Sequence, residues 1–138
     1  MQKMIERFPD WPERLDAYIR SREGKRFAWG RDKQDCCSFA MGAVLAITGV
    51  DPMLVAGVPE YQTAEDADLI LDDYPIEGTL DGLFEHRLIG MAQRGDVALV
   101  IVREEFAAMV VEGREIVGAG PHGLQRYPRS AMLKAWAI

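Results

Sequence analysis

The chain predicts an α+β fold, helices first and an antiparallel sheet after them. Three observations carry this expectation. Trp11, Leu15, Tyr18 and Ile19 recur at helical spacing behind Asp10-Trp11-Pro12-Glu13, an acidic residue with proline in the first turn. A second apolar stretch runs from Cys36 to Ile47 behind Asp35, a residue type that caps helix starts. The character then changes: Val97-Ala98-Leu99-Val100-Ile101-Val102 is a β-branched run of the kind found in strands covered on both faces.

The elements follow in order. The first helix is expected from about Trp11 to Ser21, and Arg22-Glu23-Gly24-Lys25-Arg26 is a polar break. The second opens at Cys36 and turns Cys36, Phe39, Ala40, Ala43, Val44 and Ile47 inward. Gly42, Ala43 and Ala46 are small enough to admit a close neighbour, and Thr48-Gly49 followed by Asp51-Pro52 ends it. Between Pro59 and Gly90 the pattern is short helices and turns. Thr63 with Asp66 caps one that buries Ala67, Ile70 and Leu71. Thr79 caps another that buries Leu80, Leu83, Phe84 and Leu88 and leaves His86 on its solvated face. Four strands are then expected: Val97–Val102, Phe106–Val111, Glu115–Val117 and Leu124–Tyr127. Glu112-Gly113-Arg114 and Pro121-His122-Gly123 supply turns, and Ser130 caps a last helix carrying Leu133 and Trp136.

Bulk properties narrow the function. A chain of 138 residues, 49% hydrophobic and 28% charged, is read as one globular domain over residues 1–138. A net charge of −6 counts against nucleic acid or an anionic membrane as the main partner. No apolar run is long enough to span a membrane, and Met1 to Arg7 lacks the apolar core of a signal peptide, so a reducing cytoplasm is the expected starting compartment. The only two cysteines, Cys36 and Cys37, are adjacent and unsuited to a structural disulfide. The two histidines lie far from them in sequence, so no metal or cofactor site is expected.

The chemistry concentrates at Asp35-Cys36. A thiol at the first helical position faces unpaired backbone N–H groups and the positive end of the helix dipole, both of which favour the thiolate. Cys36 is therefore the candidate nucleophile. Cys37, one position on, points about 100° away and is read as packing. His122, in the Gly120-Pro121-His122-Gly123 turn, is the candidate base, although a turn histidine is ordinarily exposed and unpartnered. Asp32 beside Asp35 invites an acid–base reading, but a helix cap and a polar loop explain both. Arg94-Gly95-Asp96 reads as a turn whose aspartate accepts backbone hydrogens, and Trp11 and Trp29 as core.

Phe27-Ala28-Trp29-Gly30, Asp35-Cys36 opening a helix, and Arg94-Gly95-Asp96 leading into an apolar strand resemble the NlpC-type cell-wall peptidases. That resemblance implies a papain-like fold with its sheet packed on the cysteine-bearing helix. It makes Cys36 the nucleophile and puts the basic histidine on the strand after Val97–Val102. Aligned on Gly113, that position holds Ala107, with Met109 in place of the family's glycine. The residue that would orient the base falls near Gly118 or Ala119. The whole layout is also similar to a small family of phage and prophage proteins encoded among tail genes. These share the Phe-x-Trp-Gly…Asp-Cys-Cys segment, Thr48-Gly49-Val50-Asp51-Pro52 and a tryptophan near the C-terminus, here Trp136.

The resemblance therefore implies a structural or assembly protein of a phage tail tip or baseplate, built on an inactive peptidase scaffold. Its partners would be other tail-tip or baseplate proteins. It would reside in the host cytoplasm during assembly, with the virion tail tip as its further location. The alternative is an active cysteine peptidase or amidase that cleaves peptidoglycan peptides with Cys36 and His122.

Overall fold

The computed structural model describes residues 5–30 and 33–138; Asp32 and the first four residues, considered above, lie outside the described residues. Five α-helices come first: α1 (Trp11–Arg22), α2 (Cys36–Thr48), α3 (Pro52–Ala56), α4 (Ala64–Asp73) and α5 (Ile76–Leu83). Six strands follow: β1 (Glu85–Arg87), β2 (Val97–Val102), β3 (Glu105–Val111), β4 (Glu115–Gly120), β5 (Gly123–Pro128) and β6 (Lys134–Ala137). They form one antiparallel sheet in the order β1-β6-β2-β3-β4-β5. The fold is α+β, and the expected four strands are six.

The two extra strands have a common cause. Leu133 and Trp136 are spaced for a helix, but residues 134–137 also fit a strand that turns Ala135 to one sheet face and Trp136 to the other. Pairing decides between them: β6 sets Trp136 opposite Val97 on one side and opposite His86 on the other. The C-terminal helix is therefore a strand, preceded by a short 3-10 turn at Arg129–Ala131. Glu85-His86-Arg87 has little intrinsic strand preference and is extended because β6 offers it an edge. His86 thus sits on β1 and not on a helix. Thr79 lies inside α5 instead of capping it, since that helix begins at Ile76 after Pro75. Leu88 falls beyond the helix and is 78% exposed.

Burial follows the strand period. Val97 and Leu99 of β2, Ala108 and Val110 of β3, Val117 of β4 and Trp136 of β6 meet Leu15 and Ile19 of α1, Phe39, Val44 and Ile47 of α2, and Leu80 of α5. Ala98, Val100, Met109, Val111, Ile116 and Ala135 face the other way and are covered by Ala92 and Met132 from connecting segments. Helix-side burial explains why α2 is small and apolar. A Cβ on Gly42 would lie 2.2 Å from Tyr18 Oη, and that hydroxyl donates to Phe39 O at 2.8 Å. The missing side chain lets α1 close on α2.

Local chemistry sets the ends. Asp35, in extended backbone (φ −92°, ψ 173°), accepts the Ser38 N–H at 2.8 Å and so caps α2. Gly49 ends it in the left-handed region at φ 78°. Thr63 accepts the Asp66 N–H at 3.1 Å, as its sequence signature implies. Asp10 does not cap α1; its carboxylate takes Arg14 Nε at 2.7 Å instead.

Candidate functional site

The first turn of α2 opens onto a cleft of about 1170 Å³, larger than most small-ligand sites. Phe27, Trp29 and Tyr61 wall one part of it, Ala107, Ala108 and Met109 of β3 another, and Ala119, Gly120 and Pro121 close the end of β4. Phe27 and Trp29 meet edge to face, 4.9 Å between ring centres. Trp29 is therefore cleft wall, while half-buried Trp11 packs against the core under the Arg7 guanidinium, 4.3 Å from its ring centre.

The cleft exists because β3 and β4 part company. They pair only at Val110–Val117 and Val111–Ile116, whereas β2–β3 and β4–β5 stay paired along their lengths. The start of β3 and the end of β4 diverge, and the start of α2 lies over the gap.

Asp35 is the floor of the site. Its residue is 1% exposed, and the carboxylate accepts the Ser38 N–H at 2.8 Å, the Gly30 N–H at 3.0 Å and the Tyr61 hydroxyl at 2.8 Å. Every one of these donors is neutral. Ser38 Oγ donates to Gly30 O at 2.8 Å, which fixes the Trp29-Gly30 turn against the helix. Burial, with the Asp35 charge adding to it, pushes the Tyr61 hydroxyl far up, so it stays a neutral donor.

Cys36 occupies the first position of α2 and lines the cleft, as expected. Cys37 packs against the core, but its sulfur also comes within 4.0 Å of Cys36 Sγ. The Cα directions alone do not foretell that contact, because the side-chain rotamers bring the two sulfurs together. A hydrogen bond from Cys37, joined by the Ala108 and Cys37 N–H groups, pushes the Cys36 thiol down. Burial and the Asp35 charge oppose the shift without cancelling it. Cys37 moves the other way, well up, because it supplies that hydrogen bond and is buried beside Asp35. Of the two thiols, Cys36 is the one whose surroundings favour the thiolate.

The residue of β3 that meets Cys36 is Ala108. Ala107, the position aligned to a base above, turns its side chain to the opposite cluster. His122 is exposed on the β4–β5 turn and is not among the residues lining the cleft. His86 is bound to Asp81 and stands edge-on to Trp136, 5.5 Å between ring centres, at the opposite end of the sheet order. Ala119, one of the two positions considered for an orienting group, lines the cleft, and Gly118 lies against Met109. Among the described residues no three His, Cys, Asp or Glu side chains converge to hold a metal ion. No described helix is long and apolar enough to cross a membrane.

Asp96 carries the other polar cluster. It is fully buried at the start of β2 and accepts the Gln93 and Ile138 N–H groups at 2.8 and 3.1 Å. Arg87 Nε lies 2.8 Å away and Arg7 Nη2 3.1 Å. The Arg94-Gly95-Asp96 turn is a structural tie, as its sequence implies.

Fold and site together define an α+β protein with a central helix that presents a cysteine, at its N-terminus, to an apolar cleft in a splayed sheet. The chain belongs to the family described as a domain of unknown function (DUF6950), which matches residues 6–138. Among curated proteins none matches the chain.

Proposed function

We propose that the chain is a papain-like scaffold of NlpC type that works without hydrolysis, as a structural or assembly component of a phage tail tip or baseplate. The observation that carries this reading is the wall opposite Cys36: Ala108 stands there, and no histidine lines the cleft. Amide cleavage by a thiolate needs an acid to protonate the departing amine. The cysteine-bearing helix packed on an antiparallel sheet supports the scaffold, and the sequence resemblance supports the tail assignment.

Two experiments test it. Purified protein incubated with peptidoglycan fragments should leave them intact, as should Cys36→Ala; Cys36-dependent cleavage would sink the reading. In the phage or prophage that encodes the chain, deletion should abolish complete tails, and the Cys36→Ala protein should restore them. A deletion with normal tails removes the assembly role.

The peptidase reading has one observation in its favour, a thiol pushed down at a helix start inside a large cleft. It needs His122 or a partner's residue as base. His122→Ala would then abolish cleavage of peptidoglycan peptides.

A further inference from the structure

We propose that Cys36 is a site of thiol–disulfide exchange, which takes a small neutral disulfide from the cleft and retains half of it as a mixed disulfide, with Cys37 as the positioning thiol. The inference goes beyond the assembly role and shares with it only the histidine-free cleft.

The geometry selects the reaction. Both cysteines are among the residues lining the cleft and their sulfurs lie 4.0 Å apart, so Cys37 S–H can donate to a Cys36 thiolate. The Ala108 N–H and the start of α2 add neutral donors to the same atom. A nucleophile so placed has no histidine in the cleft to protonate a departing amine, which disfavours amines as leaving groups and admits thiolates, since these depart without a proton. The step is Cys36–S⁻ + R–S–S–R → Cys36–S–S–R + R–S⁻. A new S–S bond forms as the old one breaks, Cys36 sulfur is oxidised, and the departing half is reduced. The Cys36 proton has already gone to solvent, and Cys37 keeps its own.

Adjacency then stops the reaction at this adduct. Consecutive Cα atoms lie about 3.8 Å apart, short of the roughly 4.4–6.8 Å that disulfides ordinarily span. Cys36 and Cys37 are moreover held in the first turn of a capped helix. Cys37 cannot resolve the mixed disulfide without unwinding that turn, so the product persists. The cleft also sets the substrate. Phe27, Trp29 and Tyr61 favour an apolar or aromatic arm, and the buried Asp35 carboxylate, satisfied only by neutral donors, disfavours an anionic one.

Dithiodipyridine, neutral and aromatic, is the probe. Mixed with the full chain at about pH 6, it should release one equivalent of thiopyridone and add one thiopyridyl group at Cys36 by intact mass. The reaction should run about tenfold or more faster than with free glutathione at that pH, where an ordinary thiol is almost wholly protonated. Cys36→Ala should abolish it. Cys37→Ala should slow it and move its pH profile upward, and Cys37→Ser, which keeps a donor, should restore part of the rate. Unchanged rate and pH profile in Cys37→Ala would overturn the role of Cys37. Modification at Cys37, or two equivalents released with a Cys36–Cys37 disulfide, would overturn the proposal itself. Peptidoglycan cleavage would sink the hydrolysis-free reading and leave the exchange result standing, so the two fail separately.

Discussion

Asp35 and Asp96 are both buried carboxylates at the start of an element, and the protein handles them in opposite ways. Asp96 is met by two guanidinium groups and two backbone N–H groups, from Arg7, Arg87, Gln93 and Ile138. Two of these partners, Arg7 and Ile138, lie 131 residues apart in sequence, and Arg7 adds bonds to Ile138 O and Arg94 O at 2.9 and 2.8 Å. Asp35 is met only by neutral donors, from Gly30, Ser38 and Tyr61. One carboxylate faces two guanidinium groups and serves closure of the whole fold. The other faces only neutral donors beside a thiol and serves the shape of a site. Burial alone does not say which role an aspartate has; the sign of its partners does.

Replacing Asp96 should have the largest effect on stability. Asp96→Asn removes the charge that two arginines face and weakens the tie between the chain ends. Removing one partner of a buried ion pair typically costs about 3–5 kcal/mol. Arg7 and Arg87 side chains are 14% and 28% exposed and can turn partly toward water, so about 3 kcal/mol is expected by urea denaturation. The alkylation rate of Cys36 should not change. A loss below about 1 kcal/mol would place Asp96 with ordinary surface pairs and erase the contrast.

Asp35→Asn should do the reverse. Asparagine caps helices as well as aspartate does, but once its one oxygen keeps the Ser38 bond its NH2 group stands where Gly30 N–H and the Tyr61 hydroxyl now donate, and the Gly30 donor is left without an acceptor, a loss of about 2 kcal/mol. The Asp35 charge raises the Cys36 thiol; without it the thiolate forms at lower pH, and iodoacetamide should label Cys36 faster at about pH 6. Slower labelling would mean that the carboxylate acts on Cys36 chiefly through the position of the turn and not through its charge.

These two aspartates also mark how far the residues could be read in advance. The Asp35 cap was legible because its acceptor role is local, three residues from the Ser38 N–H. Tyr61 was not, since it reaches Asp35 from 26 residues away out of a stretch without periodicity. The Asp96 turn was legible in its backbone bond to Gln93, while Arg7 and Arg87 belong to the tertiary fold. Strands β2 to β5 announced themselves by β-branched runs and turn residues. The four residues of β6 satisfy both the helical and the strand period, and only their pairing between β1 and β2 separates the two. Cys36 was foreseeable from its cap. That Cys37 sulfur returns to it, and that Ala108 rather than Ala107 is the β3 residue facing it, depend on rotamer and register.

Gly42 tests whether the helix carrying Asp35 is itself rigidly seated. Alanine there gains roughly 1 kcal/mol of helix propensity. Its Cβ would collide with the Tyr18 hydroxyl at 2.2 Å and displace the bond to Phe39 O. Overpacking costs about 1–3 kcal/mol, so Gly42→Ala should destabilise by a net of about 1 kcal/mol. Burial pushes the Tyr18 hydroxyl up to about 12, and the displaced phenol should ionise at lower pH in an ultraviolet titration. A stabilised variant would show that α1 slides on α2 without cost, and that Asp35 and not helix packing fixes the site.

A third carboxylate, Glu23, supplies the exposed reference, and its effect should be the smallest. Arg126 Nη2 lies 2.5 Å from it and Arg126 Nε 2.7 Å from Glu112, which links the end of α1 to the sheet. The hydrogen bond from Arg126 holds the Glu23 carboxyl below its ordinary value of 4.5, against slight burial. A folded-state value below the unfolded one adds stability that is complete above about 4.5 and is lost as pH falls through the lowered value. Glu23 is 45% exposed, so solvent screening limits this contribution to under about 1 kcal/mol. Glu23→Gln should flatten the acid limb of the urea midpoint between about pH 5 and 3 and change little at neutral pH. A neutral-pH loss as large as that of Asp96→Asn would mean that charge pairing stabilises this fold irrespective of burial. The division drawn between the two buried aspartates would then rest on charge alone.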